Sequence, residues 1–291
     1  MSVDTKDEGM NFHNSPSEIY VPDGSAAGPA LSRTTHLAIA AHQDDIEFMA
    51  LHGILECFGH DDRHFTGVTV SNGAGSARDG IYAEYTDEEM QKVRRVEQKK
   101  AAVVGEYSAH VFLDYSSAEV KDGKNLPVVE DLKKVVELAR PQVLYTHNLA
   151  DKHDTHVSVA LRTLRALREL PPEARPMRVY GCEVWRDLDW LNDDDKVVFD
   201  VHGHENLAMS LSGVFDSQIC GGKRYDLATQ GRRRANATYL ASHAVDQTTA
   251  ASFAVDLTPL VEDDKLDPAE FILGFIDRFK GDVSTRLAKL R

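Results

Sequence analysis

The chain has 291 residues, 42% of them apolar, with 47 acidic against 33 basic side chains and a formal net charge of −14. That length and apolar share suffice for one large α/β domain or two small ones with a real core, whereas the acidic balance argues against non-specific attraction to nucleic acid or to an anionic membrane, and favours a neutral or cationic small substrate. Cys57, Cys182 and Cys220 form no CxxC pair and leave an odd thiol in any disulfide scheme, so a reducing cytoplasm is the simplest setting; neither an export signal nor an apolar run of membrane-spanning length is present.

In chain order, residues 1–32 are rich in Gly, Ser, Pro and acids, and read as an irregular extension that drapes over the fold or stays mobile. From His36 onward, short β-prone runs alternate with helical patterns. “HLAIAA” (36–41), “FTGVTV” (65–70), “AHVFL” (109–113) and “QVLYTH” (142–147) read as strands. The segments 47–59, 87–105 and 127–141 carry apolar residues three and four apart with charges between, and a further helix at 155–170 is closed by Pro171 and Pro172. This rhythm predicts a Rossmann-like α/β fold with a mostly parallel sheet and helices on both faces. Beyond it the pattern loosens into strands at 178–185 and 196–201, helices at 204–219 and 222–242, and a last strand or edge at 252–260. A C-terminal helix from Pro268 has a break expected at Gly281. With no internal repeat or low-complexity block, residues 33–291 read as one domain with an elaborated C-terminal part, and the sequence leaves self-association open.

In such a sheet, ligands bind outside the C-terminal ends of the strands where strand order reverses. “LAIAAHQDDIEF” (37–48) delivers His42, Gln43, Asp44 and Asp45 to that rim, and “THNLADKHDTH” (146–156) delivers His147, Asp151, His153, Asp154 and His156. Taken alone, the paired aspartates suit a helix cap and Glu47 a helix start. Catalytic zinc, however, takes three His, Asp, Glu or Cys ligands and leaves one position open. His42, Asp45 and one histidine of the second segment make such a set. Asp44 stands beside it as a base for water, and the second histidine is available to stabilise an oxyanion or protonate a leaving group. That chemistry is hydrolysis of an amide or ester.

“AHQDDIE” followed by “DKHDTH” resembles the paired signatures AHPDDE and HPDH of the PIG-L/LmbE family of zinc-dependent N-acetylglucosamine deacetylases, and the likeness runs over about residues 36–218. The resemblance implies a Rossmann-like fold, zinc held by His42, Asp45 and His156, general-base duty for Asp44 and transition-state stabilisation by His153. It also implies a small N-acetyl-sugar substrate, and “VRRVEQKKAAVVG” resembles a family helix that puts Arg94 near the substrate or product acetate. Gln43 stands where the family has proline, Asp154 and Thr155 replace the proline and aspartate of HPDH, and Phe215 stands where a histidine usually ends the H-x-S-Q helix. The lost aspartate matters because carboxylates orient metal-bound histidines; Asp151 and Asp154 are the candidates to replace it. Gln43 lies at the expected pocket rim.

Two other readings compete. “SNGAGSARDG” (71–80) as a phosphate loop would make a nucleotide-binding protein, but its glycines follow the second strand rather than the first, and no helix opens directly after them. It reads better as an active-site loop with Arg78 and Asp79 as substrate contacts. A metal-binding relative without activity would have no need of Asp44 and His153. “RRR” at 232–234 reads as a solvated helix face. His202 and His204 lack a carboxylate partner that would mark a second site, and His243 and Asp246, beyond the region of resemblance, could line the pocket but read better as surface residues. Trp185, Trp190 and Tyr225 suit either core packing or a stack on a sugar ring.

Overall fold

The computed structural model describes residues 10–291. The chain opens with β1 (Glu18–Tyr20) and α1 (Ala27–Ser32), then β2 (His36–Ala40), α2 (Asp45–Met49), α3 (Leu51–Cys57), β3 (Phe65–Ser71) and α4 (Asp87–Val104). Next come β4 (Ala109–Tyr115), α5 (Ser117–Lys121), α6 (Leu126–Ala139), β5 (Val143–His147) and α7 (Asp154–Arg168). The last third holds β6 (Arg178–Cys182), β7 (Val197–Asp200), α8 (Glu205–Gly213), α9 (Asp216–Ile219), α10 (Tyr225–Tyr239), β8 (Ala251–Asp256), α11 (Thr258–Glu262) and α12 (Pro268–Leu290).

All eight strands form one sheet in the order β1-β4-β3-β2-β5-β6-β8-β7. The five inner strands β4, β3, β2, β5 and β6 are parallel. Three outer strands run the other way or against their neighbour: β1 on β4, β8 on β6 and β7 on β8. From β2 the chain builds β3 and β4 on one side and later β5 and β6 on the other, so the crevice opens between the C-terminal ends of β2 and β5. The side-chain period of two divides β2 between two cores. Leu37 and Ile39 join Val68, Val111 and Leu144 on one face, while Ala38 and Ala40 join Phe65 and Tyr145 on the other.

Helix α4 begins with a capping box between Thr86 and Glu89. Its inward stripe, Met90, Arg94, Glu97, Gln98 and Ala101, has the four- and three-residue steps of one helix face, yet three of its members are polar and buried. Those three serve the site described below.

Four expectations need correction. Residues 10–32 are not irregular throughout: β1 extends the sheet on β4, with Glu18 accepting from Arg95 at 3.0 Å and from Lys99 at 2.5 Å. The helix expected over 47–59 begins earlier, at Asp45, and is broken at Ala50, whose φ of −112° leaves the helical region. The segment 204–219 is likewise two helices, α8 and α9, parted at Val214 and Phe215. Conversely α12 runs unbroken through Gly281 for 23 residues. A helical glycine costs only about 1 kcal/mol relative to alanine, too little by itself to end a helix that long. No helix among the described residues is long and apolar enough to cross a membrane.

Candidate active site

The turn between β2 and α2 is built around Asp44, whose φ of 92° is unusual for a residue with a side chain. Its side chain does not cap α2. Instead, the turn sends the two aspartates to different partners, Asp45 to the histidines of the β5–α7 segment and Asp44 to α4.

Asp45 Oδ2 accepts from the backbone N–H of His42 at 2.8 Å and lies 3.2 Å from His42 Nδ1 and 3.3 Å from His156 Nε2. His42 Nδ1 and His156 Nε2 are themselves 3.2 Å apart. The three atoms therefore form a nearly equilateral triangle. Tetrahedral bonds of about 2.0–2.1 Å place two ligand atoms roughly 3.3–3.4 Å apart, so this donor set fits a zinc-like ion as it stands. Two overlapping groups could also hold a metal: His42, His153 and His156, and Asp45, His147 and His156. His147 is less suited, because its Nε2 already accepts the Ala41 N–H at 2.9 Å, while its ring stacks on His156 with centroids 3.9 Å apart. His147 thus walls the centre rather than adding a free lone pair.

The electrostatics agree with a cation at this point. Burial disfavours a charged His156 ring, yet Asp45 on one side and Asp151 on the other raise its pKa to about 9. A proton supplies between the two carboxylates the positive charge an ion would bring. Burial likewise opposes a charged Asp45, but His156 and His42 outweigh it and hold the carboxyl well below its usual range. Of the two candidates to orient His156, Asp151 is the one in place. Its Oδ2 lies 3.6 Å from His156 Nδ1 and accepts the Trp185 N–H at 3.1 Å, and its Oδ1 accepts the His153 N–H at 2.9 Å. Asp154 is exposed in the first turn of α7.

Asp44 is buried, and its Oδ2 accepts from Arg94 Nη2 at 2.9 Å; among the described residues its other oxygen accepts no hydrogen bond. Burial pushes its carboxyl up to about 7, with the Arg94 guanidinium pulling the other way. Arg94 is 1% exposed, donates also to the Gln43 carbonyl and to Glu97 Oε2 at 3.3 Å, and lies under Phe215, whose ring centroid is 5.7 Å from the guanidinium carbon. Arg94 lines the cavity and its Nε has no partner among the described residues, but Nη1 and Nη2 both serve the protein, so its evident work is to position Asp44. Gln98 completes the support, accepting the Asp44 N–H at 3.1 Å and donating to Glu47 at 2.7 Å.

A cavity of about 720 Å³ opens over this centre, within the usual range for small-molecule sites. His42, Asp44, Asp45, Arg94 and His153 line it, as do Phe48, Trp185 and Tyr225. His153 is half-buried beside Trp185, with ring centroids 6.3 Å apart, and burial followed by the neighbouring histidines lowers its pKa to about 4. Three expected substrate contacts do not line the cavity. Gln43 is buried under the loop after β3, its Nε2 donating to the Ser71 carbonyl at 3.2 Å. Arg78 donates to the Ala74 carbonyl at 2.6 Å and to Asp87 at 2.5 Å, and Asp79 accepts from the Gly80 N–H at 2.8 Å. The loop contributes Gly73, Gly75, Ser76 and Ala77 to the wall instead. It leads into a short 3-10 turn, not a helix, which removes the phosphate-loop geometry.

The expectation of a solvated arginine face at 232–234 also fails, since Arg232 and Arg233 line the cavity and Arg233 is 2% exposed. Tyr225, Thr229, Arg232, Arg233 and Asn236 share one face of α10, and that helical spacing was the available signal. Trp190 packs against the core, His202 pairs with Asp200 at 2.7 Å outside the cavity, and His243 and Asp246 are exposed.

Fold and site together define a Rossmann-like α/β protein with a metal-competent His/Asp/His centre at the point where its strand order reverses. Residues 37–167 match the family model described as PIG-L: GlcNAc-PI de-N-acetylase. No curated protein matches over the sequence. Among solved structures, the N,N'-diacetylchitobiose deacetylase of Pyrococcus horikoshii is similar at TM-score 0.60 and 13% identity, covering 83% of this chain and 90% of that one. The 4-carboxy-2-hydroxymuconate hydratase of Pseudomonas putida is similar at 0.56 and 16%, covering 77% and 96%. A zinc-inhibited form of a teicoplanin deacetylase is similar at 0.56 and 14%, covering 77% and 97%. At such identities the likeness establishes the fold, and the presence of a hydratase beside deacetylases means the reaction must be argued from the site.

Proposed function

We propose that this chain is a metal-dependent N-deacetylase that hydrolyses the acetamide of an N-acetylated sugar, in a small molecule or glycoconjugate, to an amine and acetate. The observation that carries the reading is the 3.2–3.3 Å triangle of His42 Nδ1, Asp45 Oδ2 and His156 Nε2 with an unbonded Asp44 oxygen at the same cavity wall. Held by these three atoms, zinc or another divalent ion would polarise a carbonyl and acidify a water.

The chain's own groups supply the rest. Asp44, with a pKa near neutrality, accepts a proton from water as the water oxygen bonds to the carbonyl carbon, and returns it to the nitrogen as the C–N bond breaks. Arg94 fixes the carboxylate through Oδ2 and leaves Oδ1 for this transfer. His153, held neutral, donates a hydrogen bond to the oxygen that gains negative charge. Trp185 and Tyr225 offer aromatic faces to a sugar ring.

The test combines metal content of the purified protein with amine release from a panel of N-acetylated sugars. Asp44→Asn should keep its metal and lose roughly 10²- to 10⁴-fold in kcat, and His42→Ala should lose the metal. Wild-type rates in Asp44→Asn would remove the base; undiminished rates after chelation would remove the metal-dependent reading.

A further inference from the structure

We infer that Arg233 is the centre of an anion-binding subsite in the cavity, and that the substrate carries a phosphate or a carboxylate on the same unit as its amide. The placing of the amide rests on the hydrolase reading above; the anion subsite itself does not.

Arg233 projects from α10 to the end of α2. The break at Ala50 leaves the last α2 carbonyls without helical donors, and Arg233 Nη2 supplies them, donating to Glu47 at 2.8 Å and to Phe48 at 3.1 Å. That accounts for one nitrogen. The other two, Nε and Nη1, are buried and have no partner among the described residues. Among the described residues no carboxylate lies within ion-pair distance of this guanidinium, although a buried unpaired charge is among the most costly features a fold can carry. Burial lowers its pKa only to about 10, so it stays charged at neutral pH.

The surroundings repeat the pattern. Arg232, Lys121, Lys152 and Lys223 also line the cavity and have no carboxylate partner within 4 Å among the described residues, Lys152 and Lys223 lying 6.0 and 5.2 Å from the Trp185 ring centroid. The acids of the same wall are engaged. Asp44 holds Arg94, Asp45 belongs to the metal triangle, and Glu183 accepts from Asn236 at 2.6 Å and from the N–H groups of Phe253 and Leu188 at 3.1 Å. A chain of net charge −14 thus turns a locally basic face to its cavity. Charge-assisted bonds from a desolvated guanidinium are strong and favour phosphate and carboxylate oxygens. This replaces the neutral or cationic substrate expected from the overall charge.

Spacing sets the size of the ligand. Asp45 begins α2 and Arg233 holds the carbonyls of Glu47 and Phe48, two and three residues on, which at the helical rise lie about 3–5 Å further along the axis. With Arg233, His42 and Asp45 lining one cavity, an anion on Arg233 and an amide at the metal triangle are close enough to belong to one sugar unit.

Calorimetric titration of inorganic phosphate into the metal-free full chain tests the subsite without turnover. Wild type should bind saturably, Arg233→Gln should bind roughly ten- to a hundredfold more weakly, and Arg233→Lys should lie between them. The metal-loaded enzyme is then assayed on N-acetylglucosamine, its 6-phosphate and its 6-carboxylate. One anionic sugar should exceed the neutral one by at least about tenfold in kcat/KM, and Arg233→Gln should abolish that preference through KM; which sugar wins separates phosphate from carboxylate. Absence of phosphate binding to wild type, or equal binding by Arg233→Gln, overturns the inference even if amine is released. Phosphate binding lost in Arg233→Gln with no amine from any sugar upholds the subsite and overturns the hydrolase reading. Should Arg233→Gln fail to fold, unweakened phosphate binding in Arg233→Lys, or equal wild-type rates on neutral and anionic sugars, overturns it.

Discussion

Replacing Arg94 by glutamine distinguishes a positioning guanidinium from one that binds substrate. Arg94 is 1% exposed, and its Nη1 and Nη2 donate to Asp44, Glu97 and the Gln43 carbonyl. Without it Glu97 keeps the Ser217 N–H and hydroxyl at 2.6 and 2.7 Å, but Asp44 loses its only ion-pair partner among the described residues. Breaking a buried pair from one side costs about 3–5 kcal/mol. Asp44 relieves part of that by taking up a proton, its pKa being already about 7, so the lower figure is expected. For a chain of this size about 3 kcal/mol corresponds to a fall of roughly 6–12 °C in Tm. Differential scanning calorimetry of metal-free wild type and Arg94→Gln measures it, and kcat at pH 7 should fall along with stability because the proposed base is held protonated. A melting temperature within a degree of wild type, together with a raised KM and unchanged kcat, would refute this and return Arg94 to the substrate.

Three further outcomes are expected. Asp151→Asn should weaken metal affinity by about 10- to 100-fold, read by competition with a chromophoric chelator, because the charge behind His156 Nδ1 is lost; an unchanged affinity would remove Asp151 from the centre. His110 is buried with its Nε2 2.9 Å from Thr69 Oγ1, and burial above all holds its pKa down at about 3 against 6.5 for the free side chain. Between those values the unfolded chain binds the proton and the folded one does not, so stability falls with pH by about 1.4 kcal/mol per unit below 6.5. His110→Phe should flatten that slope in urea melts at pH 5 and 7 with chelator present, and parallel slopes would contradict it. Gly73 has φ +78°, and an added Cβ would meet Gln43 Oε1 at 2.5 Å. Gly73→Ala should cost about 1–3 kcal/mol, whereas Gly75→Ala, with open space around it, should stay within about 0.5 kcal/mol; equal melts would show that Gln43 yields freely.

Much of this molecule is written locally. The apolar runs ending at Ala41 and His147 specify two parallel strands, because strands covered on both faces must be continuously apolar, and their order in the chain puts both rims on one side of the sheet. His42, Asp45 and the HxxH histidines are therefore legible as a group in the sequence alone, and Asp151 is visible there as one of two carboxylates able to orient a histidine. Gln43, Arg78, Arg94 and Arg233 were not legible in the same way. Each is a polar residue in a helix or turn pattern that suits solvent equally well, and its fate depends on what packs against it from far along the chain: β3 and its loop over Gln43, Asp87 beside Arg78, Asp44 against Arg94, the broken end of α2 against Arg233. The sequence by itself determined the parallel centre of the sheet, the crevice and the rims that carry the His and Asp residues, since these follow from periodicity and turn chemistry within a few residues. Only the tertiary structure decided which charges face the cavity unpaired, because burial and ion pairing are set by contacts between segments that the chain brings together only on folding.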